Sequence, residues 1–313
     1  MYVTEHLDKA RNPLFSYEIV PPPRGKSVDN ILHIVEQILP FDPPFIDVTA
    51  HSAEAYYEEL SDGTIKRHIR KKRPGTISIC GIIQNRYKID TVPHLLCRGF
   101  SQEETEDACI ELNFLGIHNF LAIRGDETNY MPPAKGSNTA NVFASELVEQ
   151  LIDLKKGTFL EKIANSSPID MCIGVAGYPE KHVECPNTKT DIAYLKSKVD
   201  KGADYIVTQM FFDNSSFFKF VKQCRQAGIT VPILPGLKVL NSARQLTTLA
   251  KFFNISIPDE LVDEVKSSDK HAKEIGINWA TKQCQELLDG GVECIHFYIM
   301  NDAKSVTKVI KNL

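Results

Sequence analysis

With 313 residues, 42% of them hydrophobic, the chain is long enough for one α/β barrel or two ordinary domains around a sizeable core. A formal net charge of -4 and a pI near 6.2 leave no broad basic footprint, and the densest basic run, Lys66 to Arg73, is short and broken by apolar residues, so nucleic acid is not an expected partner. No apolar run reaches signal or membrane-span length, which gives an expectation of cytoplasmic residence without membrane contact. The eight cysteines lack Cys-x-x-Cys or His-Cys spacing and read as reduced thiols, not as metal ligands.

Taken in chain order, the first strand is expected over 15–20, Phe15-Ser16-Tyr17-Glu18-Ile19-Val20, because the run is aromatic and β-branched and Pro21-Pro22-Pro23 cuts it off. Alternation puts Ser16, Glu18 and Val20 on one face and Phe15, Tyr17 and Ile19 on the greasier other. Glu18 thus stands near the C-terminal end of an apolar strand. Two readings are open from this segment alone: a carboxyl kept protonated by burial, as a general acid requires, or a structural acid paired with a distant Arg or Lys.

Further strands are expected at 45–49, 90–96, 119–124, 170–176, 204–210, 231–236 and 292–299, and helices between them at 28–39, 102–115, 144–155, 191–201, 215–227, 243–252 and 279–288, with 304–310 closing the chain. Gly202, Gly228 and Gly290 fall where helix ends need them, and no helical stretch contains a proline. Eight strands alternating with helices suit a single (β/α)8 TIM barrel over 1–313, with a doubly wound sheet as the other arrangement. The spacers 50–89 and 253–290 are longer than a barrel needs. They read as embellishments, the first with an extra helix near 62–72 and the second with two helical patterns.

In a barrel, chemistry gathers where strands end, and polar residues are dense there: Glu18; Asp47, Thr49 and His51; His94; Arg124, Gly125 and Asp126; Tyr178, Glu180 and His182; Gln209 and Asp213. Singly each has a plain explanation: a helix cap for Asp126, a core histidine for His94, core aromatics for Phe211 and Phe212. Together, these carboxylates and histidines, with an Arg, a Gln and a Tyr, point to one rim. No Gly-x-Gly-x-x-Gly or Walker motif is present, which disfavours a Rossmann-bound dinucleotide. Arg124, His182 and Lys198, assisted by Thr49 and Ser145, could still hold an anionic cofactor, although Lys198 alone also reads as a solvated lysine.

The run Phe15 to Arg24 resembles the Phe-Glu-Phe-Phe-Pro-Pro-Arg segment of the methylenetetrahydrofolate reductase family, Leu121 to Asp126 its Leu-Arg-Gly-Asp, Gly177 to Glu184 its Tyr-Pro-Glu-x-His-Pro-Glu, and Thr208 to Asp213 its Thr-Gln-x-Phe-Phe-Asp. Pro235-Gly236 and His296-Phe297-Tyr298 continue the resemblance, which runs from about residue 14 to residue 300. It implies the short bacterial form, a single catalytic barrel without a regulatory domain, that binds FAD and forms a small homo-oligomer. NAD(P)H would reduce the flavin, and 5,10-methylenetetrahydrofolate would then take the hydride to become 5-methyltetrahydrofolate, a step of one-carbon metabolism and methionine synthesis.

By position, the resemblance implies that Glu18 is the general acid that opens the imidazolidine ring, and that Asp126 is an acid near pterin and flavin, the two acids differing in protonation at neutral pH. It implies FAD contacts at Thr49, His94, Arg124, Gly125, Ala144, Tyr178, His182, Asp191, Tyr194 and Lys198. Gln209 would touch pterin and nicotinamide, and Gln245 the folate. Three departures stand out. Ala50 occupies a position where the family has an aromatic FAD contact, with His51 as its replacement; Leu249 stands where a Phe packs on substrate; and Ile299-Met300-Asn301-Asp302 reverses the charge of a folate-binding Arg, for which Lys238 is a candidate to compensate. Two other classes are weighed against this reading: a lyase or aldolase using Lys238 as Schiff base, and a noncatalytic flavin- or folate-binding subunit.

Overall fold

The computed structural model describes residues 1–126, 140–300 and 302–313; Asn301 in the run above lies outside the described residues. A short helix α1 (Val3–Lys9) leads into β1 (Leu14–Ile19), which ends before the prolines, as a ladder must where N–H groups run out. Helix α2 (Asp29–Ile38) then buries Ile31, Ile34, Val35 and Ile38, one helical face. The chain continues through β2 (Phe45–Val48), β3 (Ala53–Glu59), β4 (Ile65–Lys71), α3 (Thr76–Tyr87), β5 (Asp90–Leu96), α4 (Gln102–Phe114), β6 (Asn119–Ile123) and α5 (Ala144–Lys155). It closes with β7 (Cys172–Gly177), α6 (Thr188–Asp200), β8 (Tyr205–Thr208), α7 (Asn214–Gln226), β9 (Ile233–Leu234), β10 (Gly236–Leu237), α8 (Arg244–Phe253), α9 (Asp259–Ser267), α10 (Ala272–Asp289), β11 (Cys294–Met300) and α11 (Ala303–Lys311).

Nine of these strands form one parallel sheet in the order β10-β11-β1-β2-β5-β6-β7-β8-β9. Its two ends, β9 and β10, are successive pieces of chain parted only by Pro235, so the sheet comes round on itself as a nearly closed (β/α)8 barrel. Proline lacks the donor that would continue one ladder. The strand accordingly changes partner there: β9 pairs with β8, β10 with β11, and the His296 N–H donates to the Pro235 carbonyl at 2.9 Å. The expected strand over 231–236 is therefore split.

Outward side chains such as Tyr17, Ile46, Ile295 and Phe297 join the helices in the main core, which confirms the greasy face assigned to β1. Inside the barrel the lower layer is apolar, built from Phe45, Val92, Leu121, Tyr205, Leu234 and Cys294, and Val3 and Leu7 of α1 pack into it. One step further toward the strand C-termini, the interior changes character. Ser16, Asp47, His94 and His296 are all buried there.

The spacer 50–89 differs from expectation. Residues expected as an extra helix near 62–72 lie in an antiparallel hairpin, β3 with β4, followed by the unanticipated helix α3. Long charged side chains from Lys66 to Arg73 suit a helix, but cross-strand pairs decide otherwise: Arg70 and Lys72 bond Glu54, and His68 stacks on Tyr56 at 4.9 Å. Asp62-Gly63, with Gly63 at φ 80°, was the hairpin signal. Likewise the stretch 279–288 is only the second half of α10, preceded by α9 as the second helical pattern.

Candidate active site at the strand C-terminal rim

Glu18 and Asp47 are register partners on β1 and β2, so both carboxyls point into the barrel side by side. At Glu18 the pairing with β11 slips, from Glu18 opposite Tyr298 to Ile19 opposite Met300. Such a bulge bends the strand and re-aims the side chain at its end. The Glu18 side chain is 14% exposed, at the mouth, whereas that of Asp47 behind it is completely buried. His94 Nε2 lies 3.6 Å from Glu18 Oε2 and 3.5 Å from Asp47 Oδ2.

On the far side of Asp47, Oδ1 lies 4.0 Å from His296 Nδ1, a nitrogen engaged with Ser16 Oγ at 2.9 Å. Among the described residues, neither Asp47 oxygen, nor His94 Nε2, nor His296 Nε2 has a hydrogen-bond partner. Burial pushes both carboxyls up to about 7; at Glu18 the neighbouring Asp47 adds to the rise while His94 and Lys238 oppose it. Burial likewise drives His94 and His296 down, toward the neutral ring. Lys238 is buried, bonds the Tyr298 carbonyl at 2.8 Å, and is depressed by burial to about 8.

Thr49 and His51 follow β2, joined through Oγ1 and Nε2 at 3.2 Å, and Thr76 Oγ1 donates to the Thr49 carbonyl at 2.9 Å. His51 is lowered by burial, then by Arg73, with Asp126 and His94 among the charges it feels. Glu18, Thr49, His51, His94 and Asp126 therefore form one neighbourhood. Beside it, His51 and His94 line a cleft of about 310 Å³ floored by Thr76, Leu95 and Leu112. The hairpin leans on this edge: Lys71 Nζ sits 4.5 Å over the Phe100 ring, and Arg73 donates to the Pro21 carbonyl at 2.6 Å.

A second group gathers after β6 and β7. Arg124 forks onto Glu184 at 2.7 and 2.6 Å, Gly125 takes φ 83° to turn the chain, and Asp126 emerges exposed. Tyr178 packs edge-on to His182 at 4.7 Å, and Asp191, the buried first-turn acid of α6, accepts from the His182 N–H at 3.0 Å. Lys198 donates to the Ala176 carbonyl at 2.6 Å, and burial lowers it to about 8. His182 is lowered by burial and then by Arg124, with Lys198 acting in the same sense. A guanidinium, an ammonium, an imidazole and an aromatic face thus share one stretch of rim, a donor set that fits a phosphate-bearing cofactor with a planar ring.

The remaining positions lie differently. Gln209 follows β8, its N–H on the Gly177 carbonyl at 2.8 Å and its Oε1 accepting from Met210 at 2.9 Å. Gln245 on α8 accepts from the Asn241 N–H at 2.6 Å, and Leu249 is buried with Met210, Phe212 and Leu240. Ala144 opens α5 half-buried, and Tyr194 is 62% exposed on α6. Asp302 is occupied as the N-cap of α11, accepting from Ser305 N–H at 3.3 Å and Ser305 Oγ at 2.7 Å, with Lys273 at 3.0 Å.

Asp47 and His296 are the groups that the strand-end reading left without a role. Their signal was present: Phe45-Ile46-Asp47-Val48 places a carboxylate inside an apolar run, as at Glu18, and every residue of that strand is buried.

Fold and side chains together define a (β/α)8 barrel protein with a buried acid at the mouth and a cationic edge beside it. A family model described as methylenetetrahydrofolate reductase matches residues 3–313. The chain is 30% identical to 5,10-methylenetetrahydrofolate reductase of Escherichia coli K12 over 92% of its own length and 86% of that protein's. It is 31% identical to a probable methylenetetrahydrofolate reductase (NADH) of Oryza sativa subsp. japonica and 32% to methylenetetrahydrofolate reductase 1 of Schizosaccharomyces pombe. In these two it covers 50% and 47% of the relative, so the chain spans about half the length of several curated proteins it matches. An uncharacterized Clostridium thermocellum protein, described as binding two copies of 5-methyl-5,6,7,8-tetrahydrofolic acid, shares the fold with a TM-score of 0.58 at 14% identity, over 99% of both chains. The chain belongs to the methylenetetrahydrofolate reductase family.

Proposed function

We propose that the protein reduces 5,10-methylenetetrahydrofolate to 5-methyltetrahydrofolate with NAD(P)H, using FAD, and that residues 1–313 act as a catalytic barrel in themselves. The observation that carries this reading is Glu18: a carboxyl at the mouth of the barrel, raised to about 7 by burial, in a chain of this family. Such a group still holds its proton near neutral pH, which an ordinary surface glutamate does not. It can give that proton to a ring nitrogen of the folate, so that the five-membered ring opens toward a cation able to accept hydride.

FAD, when bound, takes hydride from the nicotinamide and supplies it to the one-carbon unit. The chain's own residues do the rest. Arg124, His182 and Lys198 would hold the phosphates; Tyr178 offers a ring face, and Thr49, His51, His94, Gly125, Ala144, Asp191 and Tyr194 complete the proposed cofactor contacts. Asp126, exposed beside them, contributes negative charge where a cationic folate forms. Gln209 would orient pterin and nicotinamide, with Gln245 and Leu249 on the folate side. The Schiff-base alternative is disfavoured because the chain belongs to a family of reductases. Residence in the cytoplasm and assembly as a homo-oligomer belong to the same reading; the eight free, buried thiols support the first.

The test is anaerobic and in two halves. Flavin absorbance should bleach on addition of NADH or NADPH and return on addition of methylenetetrahydrofolate. Purified protein that neither carries nor takes up FAD, or whose reduced flavin is not reoxidised by the folate, refutes the proposal.

A further inference from the structure

We infer that Asp47 is a positioning residue for the Glu18 acid, its carboxylate holding a proton on Glu18 from behind, with His94 Nε2 standing between the two acids. The inference rests on the function proposed above. Three groups meet at one atom: His94 Nε2 stands 3.6 Å from Glu18 and 3.5 Å from Asp47. At those distances neither contact is a closed hydrogen bond, and one nitrogen can serve only one carboxylate at a time.

Asp47 is an expensive residue to keep in this place. It is fully buried, both its oxygens lack partners among the described residues, and no Lys or Arg among them forms an ion pair with it. A buried acid without a cation destabilises a fold, so a stabilising role does not account for it. Its electrostatic effect on Glu18 does. An anionic Asp47 beside Glu18 opposes a second negative charge, so the pair retains one proton over a pH range in which an isolated Glu18 would lose it.

Facing Glu18, His94 and Lys238 work in the opposite sense, a charged His94 more strongly than Asp47 raises it. Burial favours the neutral His94 ring, which removes most of that opposition near neutral pH, and Tyr298 stays neutral, its hydroxyl pushed up by burial. Facing Asp47, His296 favours the anion, while Tyr205, Cys80 and Cys294 are held neutral by burial.

The experiment follows Glu18 itself. With ¹³C-labelled glutamate carboxyls, and Glu18→Gln to assign the resonance, Glu18 in Asp47→Asn should titrate about one pH unit lower than in the wild type. The alkaline limb of flavin reoxidation by methylenetetrahydrofolate should move down with it. Flavin content and reduction by NAD(P)H should be unchanged. A folded Asp47→Asn protein whose Glu18 midpoint stays in place overturns the inference, because a merely structural Asp47 would alter stability without moving that midpoint. Should Asp47→Asn not fold, Asp47→Ser removes the same charge, and the wild type still decides: Glu18 must show a two-step titration reflecting its neighbour, and a single independent step overturns the idea. The two readings fail separately. A wild-type protein inactive on methylenetetrahydrofolate defeats the proposed function, while the carboxyl titration still judges the coupling of Asp47 to Glu18.

Discussion

Glu18 and Asp47 sit side by side on β1 and β2, and a single imidazole nitrogen, His94 Nε2, lies 3.6 Å from the first and 3.5 Å from the second. This arrangement separates the two acids by depth: one at the mouth, able to meet a substrate, and one sealed in the barrel. The expected chemistry depends on that difference in exposure.

Glu18→Gln should leave FAD binding and reduction by NAD(P)H largely intact while slowing the folate half-reaction by roughly 10²–10⁴-fold, the usual worth of a general acid. Rapid mixing of each half-reaction checks this. Equal losses in the two halves would remove Glu18 from the role of acid.

The folate half-reaction should also depend on pH in a definite direction. Because the Glu18 carboxyl is raised to about 7, it is protonated and competent below that pH and is lost as an acid above it. Reoxidation rates should therefore fall tenfold per unit on the alkaline side. A flat profile between pH 6 and 9 would contradict the assignment.

Asp47→Asn should stabilise the fold at alkaline pH. The folded-state carboxyl is raised to about 7, well above an unfolded aspartate, so folding favours the protonated form and stability attributable to this group is lost as pH rises from near 4 to above 7. Removing the charge should gain about 1–3 kcal/mol at pH 8 and little at pH 4, the cost of burying such a group without partners. Urea unfolding at the two pH values measures the difference.

Asp302→Ala should cost about 0.5–2 kcal/mol of stability, since Asp302 caps α11 through Ser305. Its effect on KM for the folate should be small, because the carboxylate is already committed to Ser305 and Lys273. A large KM change without loss of Tm would show instead that Asp302 faces the substrate.

Gly236→Ala should prevent folding into a soluble barrel. A Cβ there would lie 2.2 Å from the Thr208 carbonyl and 2.5 Å from the Tyr298 ring, at the seam where β10 meets β11. Neither the backbone nor a half-buried ring whose hydroxyl is bonded to the Thr208 carbonyl at 2.6 Å can retreat that far. Soluble expression and a thermal melt suffice to check it.

How much of this was legible in advance differs from residue to residue. Glu18 was placed near its strand end by two local facts, the period of two in Phe15 to Val20 and the prolines after it. Asp47 carried the same pattern, but its strand is short and uniformly buried, so nothing local distinguished a deep carboxyl from one at the rim. The hairpin 53–71 was misread because its stability comes from pairs across two strands, such as Tyr56 with His68, whereas its charged residues by themselves suit a helix. Asp302, met as a reversed charge in a motif, proved to be a cap, a role fixed by Ser305 and by Lys273 on a distant helix.

The sequence by itself determined the alternation of strands and helices, the barrel class and the set of polar residues at strand ends, because periodicity, prolines and helix-terminal glycines act over a few residues. Only the tertiary structure decided that Pro235 would hand one strand between two neighbours, that the interior would turn from apolar to polar one layer above α1, and that Glu18, Asp47 and His94 would meet at one nitrogen. Those outcomes depend on burial and on charges brought together from β1, β2, β5 and β11. A carboxyl's proton affinity is set by that company and not by its neighbours in the chain.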